Sequence, residues 1–106
     1  MCNAEQVRAL NDAFRQSLTG GRVVATRGIL ALPDLPSIMQ LVQTYTDFNE
    51  GNDPHGEHDF GSIMYHEQQV FWKIEAYDCA LEYGSPDPCD AAVTARVLTV
   101  LLAEEY

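Results

Sequence analysis

Apolar positions recur at helical intervals in two parts of the chain and at every second residue in a third. Val7, Leu10, Phe14 and Leu18 follow the helical interval, which predicts an amphipathic helix over 4–18. Asn3 and Gln6 stand at capping-box spacing ahead of it, and Gly20-Gly21 lies where a helix commonly ends. Ile38, Leu41, Val42, Tyr45 and Phe48 form a second helical stripe, with Pro33, Asp34 and Pro36 at its start. Val70, Trp72, Ile74 and Ala76 alternate with Phe71, Lys73, Glu75 and Tyr77. That period of two predicts a strand with one face in the core and the other half wet.

Shorter runs complete the pattern. Residues 22–27 and 29–32 read as one bent strand or two short ones broken at Gly28. Residues 61–65 pair with the alternating strand through the polar link His66-Glu67-Gln68-Gln69, and 80–83 adds a third antiparallel strand. Ser85-Pro86-Asp87-Pro88 is a turn, after which Asp90 caps a final helix with Val93, Val97, Val100, Leu101 and Ala103 inward. The expected class is α+β: an antiparallel sheet of four or five strands packed with two or three helices, in one domain over 1–106. Trp72 is expected in the core with its indole N–H on a carbonyl, and Tyr65, Phe71 and Tyr77 form an aromatic row on the second sheet face.

Composition changes this picture little, but charge changes it a great deal. Apolar residues are 46% and charged residues 21%, ordinary for a globular chain. The net charge is −10. Between 47 and 90 stand eleven acids and one base, Lys73, while outside that stretch five acids meet five arginines. The entire excess therefore lies in the middle of the chain. Such a field repels nucleic acid and anionic membranes and favours basic partners. Glu50, Asp53, Glu57, Asp59, Glu67, Glu75, Asp78 and Glu82 are the candidate partner-binding residues. Acids at i and i+2 of a strand stand about 6.6 Å apart on one face, comparable to the spacing of phosphates, so they suit a DNA-mimicking surface. The N-terminus lacks the pattern of a secretory signal, so the expected location is the cytoplasm of a host cell. Three cysteines, Cys2, Cys79 and Cys89, are then expected as reduced thiols. The pairing weighed against this is Cys79 with Cys89.

One stretch offers other chemistry. NDPHGEHDFG (52–61) contains His55, Glu57, His58 and Asp59, side chains that a divalent ion accepts. In a catalytic version His58 is a general base oriented by Asp59 or Glu57, with Cys79 or Ser62 as nucleophile. Turn chemistry accounts for the same residues: Asn52 and Asp53 bond to nearby backbone, Pro54 fixes φ, and Gly56 permits a tight path. No nucleophile elbow, phosphate loop or dinucleotide fingerprint is present. The expectation is therefore a protein without enzymatic activity, metal or cofactor; the alternatives are a histidine-dependent or metal-dependent enzyme on this loop, or a structural domain of unknown role.

The segments NDPHGEHDFG (52–61), FWKIEAYD (71–78), GSPDP (84–88) and RVLTVLLAEEY (96–106), with LNDAFR (10–15) and GGRVVATRG (20–28), cover nearly the whole chain. In them the chain resembles a family of small bacterial domains of unknown function, which implies no activity and transfers no catalytic residue. It also looks like the phage-encoded anti-CRISPR proteins that act on type I-C systems. That resemblance implies binding to a CRISPR surveillance complex and blocking of its access to DNA.

Overall fold

The computed structural model describes residues 2–106. Helix α1 (Ala4–Ser17) begins with the expected reciprocal cap, Asn3 and Gln6 each bonding the other's backbone N–H, and closes on Leu18 in the left-handed conformation. Its buried side is not the apolar stripe alone. Val7 and Phe14 point inward, but so do Asn11 and Arg15, while Leu10 is 40% exposed. Strand β1 (Arg22–Ala25) follows, then a single helical turn, α2 (Arg27–Leu30), where 29–32 was expected to be strand. The turn is closed from afar: the Glu105 carboxylate accepts from Thr26 Oγ1 at 2.6 Å and from the Gly28 N–H at 3.0 Å. Asp34 caps α3 (Leu35–Gln43), with Pro36 in its first turn. Ile38 and Val42 seal its inner face.

Strands β2 (Phe60–Tyr65) and β3 (Gln68–Tyr77) form the expected hairpin, with His66 and Glu67 both at positive φ in its two-residue turn. Positions 80–83 are not a strand. Asp78 Oδ1 accepts from the N–H groups of Glu82 and Tyr83 and folds this stretch into a turn, leaving a single bridge between Tyr77 and Gly84. The expected last helix is also absent. Asp90 caps only a 3-10 turn (Ala91–Val93), and Ala95–Leu102 is strand β4, the neighbour of both β1 and β3. Its sequence, ARVLTVLL, is a nearly continuous β-branched and apolar run. Such a run satisfies helical spacing by accident and suits a strand flanked on both edges.

The sheet order is β1-β4-β3-β2, antiparallel except that β1 runs parallel to β4. One hydrophobic cluster joins Phe14, Ile29, Ile38 and Val42 of the helices to Val70, Trp72, Ile74, Leu98 and Val100 of the sheet. Among the described residues the fold is α+β with four strands and three α-helices, all three covering one face. Register moves Tyr65 off the wet face: it pairs with Gln68, shares a side with Gly61 and Ile63, and is buried. Trp72 is fully buried as expected, but its indole N–H has no hydrogen-bond partner among the described residues. Gly61, directly opposite it, leaves the room: a Cβ there would collide with Trp72 Nε1 and the adjoining ring carbons. Gly61→Ala must therefore displace a packed indole, and a loss of about 1–3 kcal/mol in urea unfolding is expected. An unchanged midpoint would show that the strand yields instead.

The thiols are not all reduced. Cys2 and Cys89 form a disulfide with Cα atoms 5.7 Å apart, while Cys79 is free and exposed. The α1 cap sets Cys2 beside the connection between β3 and β4, a proximity that no sequence spacing shows.

Candidate functional site

Two quoted segments meet in space. Four residues on one side of α1 hold the loop that precedes β2: Arg8 Nη1 donates to the Gly56 carbonyl, and Asn11 Nδ2 to that of Glu57 at 3.0 Å. The Asp12 carboxylate lies 2.9 and 3.0 Å from His58 Nδ1. Arg15, 1% exposed, binds Asp12 at 2.9 Å and donates to the Tyr45 carbonyl at 3.2 Å. Its guanidinium carbon stands 5.3 Å from the Phe48 ring centre and 5.0 Å from that of Trp72. His58 stacks on Phe48 with ring centres 3.7 Å apart. Asp53, buried, accepts the His58 backbone N–H and lies 3.7 Å from its Nε2. Asn49 and Asn52 close the preceding turn with side-chain bonds to backbone. Turn chemistry thus does shape the loop, and His58 is a fastener between α1 and the sheet.

This arrangement does not assemble the catalytic set. His58 is committed to Asp12 and Asp53; Cys79 bonds the Ala92 carbonyl, and Ser62 faces Gln69 on the hairpin. Among the described residues, Cys2, Asp87 and Cys89 are the one trio of His, Cys, Asp or Glu whose ligand atoms lie within 4.8 Å of one another, and two of its sulfurs form the disulfide. His55 and His58 belong to no such trio among the described residues. Asp12, Arg15 and Asn11, which make the network, were hidden in the sequence because they share the inward side of α1 with apolar residues. The one available signal was that 11, 14 and 15 lie on the same helical face as Val7.

The eight candidate acids divide. Asp53 is buried against His58 and takes no part in an outer surface. Glu67 occupies the hairpin turn, ten residues of strand and about 33 Å from Tyr77. Glu50 is exposed in the 49–52 turn. The other five gather near the opposite end of the sheet. Glu57, Asp59 and Glu75 line a hollow of about 240 Å³ against α1, while Asp78 and Glu82 form the turn beyond β3. Burial pushes the Asp59 carboxyl above its ordinary pKa, the neighbouring Asp53 adds to this, and His55 and His58 oppose it. A larger hollow, about 460 Å³, opens between β1 and the 79–81 turn with Arg22 and Arg96 in its wall, and contains none of the eight.

Four of the six cations are engaged within the chain, while Arg22 and Arg27 are exposed. Arg15 and Arg96 are buried, Arg96 bonding Asn11 and the Pro88 carbonyl. Arg8 pairs loosely with Glu5 at 3.9 Å, and Lys73 with Glu75 at 3.1 Å. Glu75 is thus the one candidate acid within 4.0 Å of a Lys or Arg nitrogen among the described residues.

A family model described as Protein of unknown function (DUF3768) matches residues 25–105. The chain belongs to this family. No curated protein and no solved structure matches it. The family match takes in the loop, Arg96 and all eight candidate acids, while Asn11, Asp12 and Arg15 lie ahead of it. No helix among the described residues is long and apolar enough to cross a membrane.

Proposed function

We propose that this protein is an interaction domain that docks its acidic sheet end on a cationic, nucleic-acid-binding partner and keeps DNA from it. In its finer form the proposal is an anti-CRISPR-type inhibitor, encoded by a phage, whose partner is a type I-C surveillance complex in the host cell. The observation that supports docking is the unequal exposure of charge. Of the six Lys and Arg residues Arg15 and Arg96 are buried, Arg8 and Lys73 lie within 4.0 Å of an acid, and Arg22 and Arg27 are exposed, whereas Asp53 is the one buried acid among the described residues. With two cations and one acid buried, the outer surface carries an acidic excess at least as large as the net charge of −10. A partner groove built for DNA would release its bound anions to such a surface, making association fast and salt-sensitive. The finer identity is supported by the sequence resemblance.

The test is competition with target DNA for a purified type I-C complex across a salt series. Glu57→Lys with Glu82→Lys is the informative pair, because Asp78 holds a turn and Glu75 already has Lys73. An association rate at least about tenfold lower is expected for the pair, and less than about threefold lower for Glu67→Lys at the distant hairpin turn. Binding indifferent to both salt and reversal would end the docking reading. Salt-dependent binding to other basic DNA-binding proteins, but not to the complex, would end the finer identity alone.

A further inference from the structure

We propose that the corner between Asp59, Glu75 and Tyr106 is the contact point of this surface and takes the guanidinium of an arginine from the basic partner. The inference rests on the acidic-docking reading and names the contact it would use. A hollow of about 370 Å³ opens between the 52–59 loop and the sheet face that the helices leave uncovered, with His55, Asp59, Phe60, Lys73, Glu75 and Tyr106 in its wall. Tyr106 is 76% exposed yet placed. It meets Phe71 edge to face at 5.6 Å and Phe60 at 6.3 Å.

The chain itself supplies a stand-in for the occupant. Lys73 Nζ lies 5.9 Å from the Tyr106 ring centre and 3.1 Å from Glu75 Oε1, so one cation already rests between this ring and a carboxylate. Asp59, on the same wall, has no Lys, Arg or His nitrogen within 4.0 Å among the described residues, though it is half-buried and sits near Asp53. His55 and His58 offset its charge in part, and an incoming guanidinium would bring a permanent positive charge. Arginine fits better than lysine. Its planar fork can bond a carboxylate through two donors while stacking on an aromatic face, and it gives up its water more readily than an ammonium.

The probes are fluorescent nona-arginine and nona-lysine peptides, titrated with the whole chain and read by anisotropy at two salt concentrations. The arginine peptide should bind several-fold tighter than the lysine peptide. Asp59→Asn and Tyr106→Leu should each weaken the arginine peptide about fivefold, and Tyr106→Leu should erase the preference over lysine. Glu67→Gln should change binding by less than about twofold. Asn is nearly the same size and shape as Asp, and Tyr106 is exposed, so both variants should fold; circular dichroism checks this. Equal losses for Asp59→Asn and Glu67→Gln, with the arginine preference surviving Tyr106→Leu, would overturn the corner while leaving the diffuse acidic surface intact. If neither peptide binds in a salt-dependent way, the corner and the docking surface fall together.

Discussion

Replacing Arg15 with alanine is expected to cost about 3–5 kcal/mol in urea unfolding, a large part of a small domain's stability. The guanidinium is enclosed, so three losses coincide. Asp12 loses the partner 2.9 Å away, and the Tyr45 carbonyl loses its donor. The rings of Phe48 and Trp72 then face a void where the side chain stood. Arg15→Met separates these effects, because it restores most of the volume and none of the charge. About half of the alanine loss should return if packing dominates, since Asp12 keeps His58 and is itself partly exposed. If methionine is no better than alanine, the orphaned carboxylate and carbonyl carry the cost. A loss below about 1 kcal/mol for alanine would show that this network positions the loop without stabilising the fold.

Reduction of the Cys2–Cys89 disulfide should lower stability by about 2–4 kcal/mol, corresponding to roughly 10–25 °C in Tm for a domain of this size. The bridge joins positions 87 residues apart, so in the unfolded chain it closes a loop containing most of the sequence. In the native state it ties the start of α1 to the β3–β4 connection, and the buried bond from Arg96 Nε to Asn11 Oδ1 links α1 to β4. Thermal scans with and without dithiothreitol measure the effect, and Cys89→Ser should reproduce the reduced curve. Cys79→Ser should leave it unchanged, since that thiol is exposed and unbridged. Coincident oxidised and reduced curves would mean that the native packing holds the two ends together unaided.

Both expected losses fall on features that sequence reading passed over, for a shared reason. A charged residue on the inward side of a helix reads as solvent-facing until its partners are known, and those of Arg15 lie on α1, at Tyr45 and in two rings. The cysteines were judged by compartment, but the bond depends on distance. The candidate acids were counted along the chain as one group. Folding buried Asp53, carried Glu67 to the far end of a ten-residue strand and left five near one end of the sheet.

What the amino-acid order determined unaided was local. The Asn3–Gln6 cap and the Asp34 start of α3 depend on residues a few positions apart, whose bonds form within the segment itself. The irregular loop at 49–58 and the alternation along β3 are set by turn residues and by a period of two that local sequence displays. The excess of negative charge was equally legible, because charge needs no geometry to count. Tertiary structure decided what long-range partners decide. ARVLTVLL became a strand because β1 and β3 hydrogen-bond both of its edges, and 27–30 turned helical with the Glu105 carboxylate held at its start. His58 became a clasp between α1 and the loop because Asp12 stood 2.9 Å away on another element. Short apolar runs and lone polar side chains satisfy several local patterns nearly equally, and only the neighbours brought by folding separate them.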